Sequence, residues 1–136
     1  MKRTKLINRH LSALIARLGH LDEIFVADAG FPTPEGVDVI DLSVVPGLPS
    51  FLDVLQALRS ELIIESAILA EEANASLVDS MKWALDDWAT EVNKPIALSQ
   101  TSHEEMKSRS KQSKAIIRTG ETTPFANIIL VSGVVF

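Results

Sequence analysis

The sequence predicts an α/β fold: a single layered domain with a largely parallel sheet flanked by helices. Three observations carry that expectation. Helical and extended patterns alternate along the whole chain. The extended segments are short, continuous apolar runs such as "EIFVADA" and "NIILV", the pattern of strands covered on both faces. The 136 residues, 46% of them hydrophobic, suffice for one sizeable core, and no repeat, linker or low-complexity segment divides them, so one domain spans residues 1–136.

The elements follow in order. Asn8 is placed to cap a helix in which Leu11, Leu14, Ile15 and Leu18 recur at helical spacing, with Gly19 as its stop. Glu23 to Ala29 is a β-rich run closed by Gly30 and Pro32. After the loop "FPTPEG", Val37 to Leu42 is a second strand with Asp38 and Asp41 as polar positions. "VPGLPS" is a turn, and Ser50 caps "FLDVLQALRSE". In "LIIESAILAEE" the isoleucines favour a strand. Asn74 to Val92 is helical, with Leu77, Met81, Ala84, Leu85 and Trp88 on one face and Pro95 at its end. "IALSQ" is a strand. Ser102 and Glu105 have the spacing of a capping box opening "SHEEMKSRSKQS". "AIIRTG" and "NIILVSGVVF" supply the last two strands.

Composition narrows the partners. The formal net charge is −5, so the basic face of a nucleic-acid binder is missing. With no cysteine there is neither a disulfide nor a thiolate zinc site. Asn8, Arg9, His10 and Arg17 interrupt any signal-peptide core, and no apolar run approaches the ~20 residues of a membrane span. A soluble cytoplasmic protein is expected. No GxGxxG, P-loop or GxSxG motif is present, so nucleotide binding has no signal.

Ligands of open α/β sheets sit beyond the carboxyl ends of the strands. Asp28 ends a strand, His103 opens a helix after "IALSQ", and "GETTPFAN" follows "AIIRT". Asp28 is either the former of the Ala29-Gly30 turn or a binder of ligand hydroxyls. His20 follows a helix end, where the dipole favours an imidazolium; it is either a C-terminal cap or a general acid near neutral pH. Asp22 and Asp41 are read as turn and strand-edge residues. His103, Glu104 and Glu105 match no metal-ligand spacing, and the only other histidines are His10 and His20, so no metal is expected. Lys107, Arg109, Lys111 and Lys114 read as a solvated face, and Trp83 and Trp88 as packing or subunit contacts.

Five separated blocks, "RLGHLDEIFVADAGFPTP", "IDLSVVPGLPSFLDVL", "AILAEE", "TSHEEMK" and "AIIRTGETTPFANIILVSGVVF", resemble the D-ribose pyranase family of ribose-utilisation operons across essentially the whole chain. The related L-fucose mutarotases share "GH.DE" and "GE" but usually differ at "DAGFP" and "PSF". The resemblance implies a cofactor-free isomerase that interconverts the β-pyranose and β-furanose forms of D-ribose. It implies a homodecamer of two stacked pentameric rings, with sites near subunit contacts. It makes His20 the catalytic proton donor and Asp28 and His103 substrate contacts, with Phe125, Ala126 and Asn127 lining the sugar site. Phe125 stands where the family motif has tyrosine, and the chain has no tyrosine at all. The alternatives are a mutarotase for another sugar, such as L-fucose, and a non-catalytic sugar-binding protein tied to a transporter.

Overall fold

The computed structural model describes residues 1–136. In chain order the elements are α1 (Arg9–Arg17), β1 (Glu23–Ala27), β2 (Val39–Asp41), α2 (Phe51–Arg59), β3 (Ile64–Ala70), α3 (Ala75–Val92), β4 (Ala97–Thr101), α4 (His103–Ser110), β5 (Ala115–Arg118) and β6 (Ile128–Ser132). They build one six-stranded sheet in the order β2-β5-β1-β6-β3-β4. β2 with β5, β5 with β1 and β3 with β4 pair in parallel, while β6 runs antiparallel between β1 and β3. Five strands therefore point one way and β6 alone opposes them, which keeps the expected largely parallel α/β sheet.

Helix starts follow from local chemistry. The Asn8 side chain accepts from the backbone N–H groups of His10 and Leu11, and Asn74 accepts from Leu77. Ser50 and Asp53 form a reciprocal capping box. At α4 only half of the expected box exists. Ser102 Oγ accepts from Glu105 N, while Glu72, arriving from the end of β3, takes the His103 N–H on both carboxylate oxygens (3.0 and 2.9 Å). Helix ends depart further from expectation. α1 stops at an extended Leu18 rather than on Gly19, whose N–H is held by Asp22 Oδ2 at 2.8 Å. α3 stops because Asn93 adopts the left-handed conformation (φ 51°), two residues before Pro95. The first two strands are also shorter than predicted, because each ends where its partner does.

Period-two alternation divides the core between the two faces. Ile24, Val26, Ile117, Ile128 and Leu130 face α1, α2 and α3 and join a 21-residue cluster that includes Leu14, Phe51, Leu58, Met81, Leu85 and Trp88. Trp88 is the largest fully buried side chain and donates its indole N–H to Leu62 O at 3.0 Å. Phe25, Ala27, Ile68, Ala70, Ile116 and Ile129 face the other way, covered by Met106 of α4 and by Phe31. Only one helix lies on that second face, so loops complete its cover. These are the loops that carry the polar residues picked out above.

Candidate active site

Asp28, His103, Phe125 and Asn127 meet at the carboxyl edge of the sheet, on the face of the smaller cluster. Asp28 directly follows β1, His103 is the first residue of α4 after β4, and Phe125 and Asn127 lie between β5 and β6. Asp28 and Asn127 hold each other reciprocally. Asp28 N donates to Asn127 Oδ1 at 2.9 Å, and Asn127 Nδ2 donates to Asp28 Oδ2 at 3.0 Å. That ring of two hydrogen bonds fixes both the rotamer of the carboxylate and the orientation of a fully buried amide. The other Asp28 oxygen accepts from Gly30 N at 2.9 Å. The turn-forming reading of Asp28 is therefore correct, and it leaves a preoriented carboxylate with further acceptor capacity.

His103 stands between two aromatic rings. Phe31 meets it edge-on with centroids 5.7 Å apart, and Phe125 does so at 5.2 Å. Its Nδ1 is buried without a hydrogen-bond partner in the chain. An orphaned buried polar atom costs about 1–3 kcal/mol. Phe125 adopts φ +63°, uncommon for a side chain of its size, and its carbonyl accepts from Asn127 N at 2.8 Å. This tight turn brings Phe125 onto His103 while Asn127 points back to Asp28. Ala126 between them is fully buried, its methyl in the large core cluster and its N–H donated to Thr123 O at 3.3 Å.

The turn is anchored by Glu121 and Gly120. Glu121 accepts from Phe51 N through Oε2 at 3.3 Å and from Thr122 N and Thr123 N through Oε1 at 3.1 Å, and its carbonyl accepts from Ala29 N. Burial pushes its carboxyl upward, but the hydrogen bonds from Thr123, Phe51 and Thr122 outweigh this and hold it below the ordinary glutamate range. Gly120 packs backbone to backbone on Leu48, where a Cβ would lie 2.4 Å from the Leu48 carbonyl oxygen. No side chain fits there, so the "PSF" loop and the "GE" loop lock together.

His20 is elsewhere. It precedes β1, whereas Asp28 follows it, so the five residues of β1 separate them. At ~3.3 Å rise per residue this amounts to roughly 17 Å. His20 sits at the amino edge, where Nε2 lies 2.9 Å from Glu65 Oε2. It is not a cap of α1, which ends at Arg17 with Leu18 as its C-cap. The turn readings of Asp22 and Asp41 hold: Asp22 accepts from Gly19 N and Asp41 from Ser43 N. Trp83 and Trp88 separate, Trp88 into the core and Trp83 to 74% exposure. Trp83 lines a groove of about 680 Å³ between α2 and α3. That groove lies on the sheet face away from the Asp28 cluster and contains none of its residues.

Sequence reasoning passed over Glu65 and Glu72 as individual residues. Glu72 was visible only as part of "AILAEE". Glu65 is a lone acid inside an apolar run, which is the signal that could have found it. No group of three or more histidine, aspartate or glutamate side chains gathers in an arrangement that could hold a metal ion. No helix is long and apolar enough to cross a membrane.

Fold and cluster together define an α/β domain whose polar loops converge beyond the strand ends. The chain belongs to the RbsD / FucU transport protein family, whose model it matches over residues 1–135. It is 49% identical over 139 residues to the D-ribose pyranase of Aeromonas salmonicida strain A449 and, at the same identity and length, to that of Vibrio campbellii, covering all of both chains in each case. Among solved structures it is similar to Bacillus subtilis RbsD complexed with D-ribose, at 46% identity and a TM-score of 0.85 over the full length of both chains. The fucose mutarotase of Streptococcus pneumoniae in complex with L-fucose shares the fold (TM-score 0.82, full coverage of both chains) at 24% identity.

Proposed function

We propose that this chain is an isomerase that interconverts the β-pyranose and β-furanose forms of D-ribose. The observation that carries this reading is the end-to-end similarity to proteins named D-ribose pyranase, and the structural neighbour complexed with D-ribose supports it. Asp28, Asn127 and His103 offer preoriented acceptors and donors for sugar hydroxyls, and Phe125 and Phe31 offer rings for the apolar face of the sugar. The backbone of Ala126 completes the turn.

The chemistry needs only proton transfers. In ring opening, the C1–O5 bond breaks with its electron pair going to O5, which takes a proton. The hydroxyl on C1 loses its proton, and its electrons form the carbonyl. Reclosure adds the C4 hydroxyl oxygen to C1, releases that hydroxyl's proton and returns one to the carbonyl oxygen. His20 is assigned as the group that delivers and recovers the proton, with water as the other proton carrier. Positioned acid–base help of this kind supplies ~10²–10⁴-fold. That suits a reaction which proceeds unaided in water, and the scheme calls on no metal or organic cofactor.

His20 and the Asp28 cluster occupy opposite sheet edges of one chain. A single sugar meets both only if His20 comes from a second copy. This supports a homo-oligomer with sites at subunit contacts, and the homodecamer of two pentameric rings is the assembly we assign. Exposed Leu21, Val135 and Phe136 give the His20 edge an apolar rim for such a contact. The same reading places the protein in cytoplasmic ribose catabolism, between a source of pyranose and a consumer of furanose.

Saturation transfer between the ribose ring forms, measured by NMR with and without protein, tests the proposal. Faster exchange that persists after exhaustive chelation is expected. An exchange rate unchanged by the protein would make it a sugar binder rather than an isomerase.

A further inference from the structure

We propose that Glu65 is the positioning residue of His20. Its carboxylate accepts the Nε2–H hydrogen bond, fixes the ring tautomer and leaves Nδ1 as the atom that exchanges a proton with the sugar. The proposal rests on His20 being the proton-transfer group.

The contact is built rather than incidental. His20 and Glu65 are 45 residues apart in sequence; His20 precedes β1, Glu65 lies within β3, and the two strands are not neighbours. β6 lies between them, so two strand spacings, about 10 Å, have to be bridged. Three backbone features at this edge bring the side chains together. The first is a bulge in β3. Its register with β6 pairs Ile64 with Ser132 and then Ser66 with Val131, so Glu65 is the extra residue with no partner. A bulge of this kind re-aims the side chain it carries.

The second feature is the end of β6, which fastens both sides. Leu21 N donates to Ser132 O and Ser132 N to Asp22 O on the His20 side, while Gly133 N donates to Ile63 O on the Glu65 side. Gly133 brings no side chain into the span: a Cβ there would stand 3.3 Å from Ile63 Cγ2 and 3.4 Å from Glu65 N. The third is Leu21, held at φ +68° immediately after His20. A left-handed non-glycine residue costs of order 1–3 kcal/mol and persists only where its surroundings enforce it.

Stability alone does not account for this arrangement. Both side chains are about half exposed, and a surface ion pair contributes ~0–1 kcal/mol. A bulge and a left-handed leucine therefore converge on a pair that adds little to folding. The other charged groups of this edge are engaged elsewhere: Asp22 with Lys114, Glu23 with Arg109, and Lys94 on the carbonyls of Val134 and Phe136. Glu65 is the one carboxylate that reaches His20.

The chemistry follows from which nitrogen is occupied. A neutral imidazole has one donor nitrogen and one acceptor nitrogen. With Nε2–H committed to a carboxylate that can only accept, Nδ1 carries the lone pair. It takes a proton when one is released and returns it when one is needed. Glutamine at position 65 can also donate an amide N–H to Nε2, so the ring is no longer restricted to one tautomer.

The test uses the intact oligomer. Ring exchange by saturation transfer and the His20 side-chain ¹⁵N shifts are measured for wild type, Glu65→Gln, Glu65→Asp and His20→Ala. A neutral wild-type ring in the Nε2–H form is expected, with Glu65→Gln shifting it toward Nδ1–H. Glu65→Gln should slow exchange about tenfold, a part of the ~10²–10⁴ that acid–base catalysis supplies, and Glu65→Asp should recover some of the loss. A wild-type His20 in the Nδ1–H form overturns the proposal whatever the variants do, as does Glu65→Gln at the wild-type exchange rate. His20→Ala separates the two levels of inference. If it retains full activity, the assignment of His20 itself fails; if it is inactive while Glu65→Gln is not, only the role of Glu65 fails.

Discussion

Phe125 brings an aromatic ring without a hydroxyl to the Asp28–His103 cluster. It packs on His103 with a backbone conformation, φ +63°, that places it there. A phenolic hydroxyl added at this point gains one neutral hydrogen bond to sugar or water. Such a bond contributes ~0.5–1.5 kcal/mol net, so Phe125→Tyr should tighten ribose binding by up to about tenfold and leave ring exchange intact. Isothermal titration with ribose and saturation transfer check the two halves, and loss of exchange would mean that the turn positions residue 125 differently. Glu121 gives a pH prediction. Its folded carboxyl lies below the ordinary 4.5, because the hydrogen bonds from Thr123, Phe51 and Thr122 outweigh desolvation. A depressed folded value contributes stability that is fully present above the unfolded value and lost as pH falls through the folded one. Thermal midpoints of wild type and Glu121→Gln should therefore differ most above about pH 5 and converge in stronger acid; parallel curves would remove Glu121 from the linkage. Asp28 and His103 were legible in sequence because each comes just after a strand, whereas Phe125 and Asn127, well past β5 and just before β6, were picked out only by the family resemblance. Glu65 was not singled out: its one signal was an acid inside an apolar run, and the bulge that re-aims it is invisible to a period-two pattern.

Elements were legible to different depths for a physical reason. Helix starts depend on one side chain and the next three N–H groups, so Asn8, Ser50, Asn74 and Ser102 announced them correctly. Ends depend on what the chain meets next. Gly19 looked like a stop but lies in a turn bonded to Asp22, and Asn93 anticipates Pro95. Strand ends depend on partners, which is why β2 keeps only three of its six predicted residues. The direction of β6 had no local signature, since an apolar run reads the same for parallel and antiparallel pairing. In α3 the same residue type meets two fates five positions apart. Trp88 is fully buried against α2 and the sheet and bonded to Leu62 O, whereas Trp83 is largely exposed. Trp88→Ala should therefore destabilise the fold by about 3–5 kcal/mol through lost burial and a cavity. Trp83→Ala should change it by no more than ~0.5 kcal/mol. Denaturant unfolding at matched oligomer concentration distinguishes them, and equal losses would show that Trp83 is buried by assembly.

The whole molecule separates what the proposed chemistry must join. Five parallel strands send Asp28 and His103 to one edge, and β1 leaves His20 at the other, roughly 17 Å away by strand rise. No side chain spans that distance, so rotamer changes within one chain do not assemble the site. A heterologous contact, amino edge of one copy against carboxyl edge of the next, repeats around a ring and gives each interface one His20 and one Asp28 cluster. Subunit mixing tests this directly. His20→Ala and Asp28→Ala are each expected to be inactive as pure oligomers. In oligomers assembled from equal amounts of both, an interface is intact when an Asp28→Ala subunit supplies His20 and a His20→Ala subunit supplies Asp28. Random assembly places those two together at about one quarter of the interfaces. Ring exchange should accordingly recover to about a quarter of the wild-type rate per site. A site contained within one chain predicts no recovery, because every chain in the mixture lacks one of its two residues.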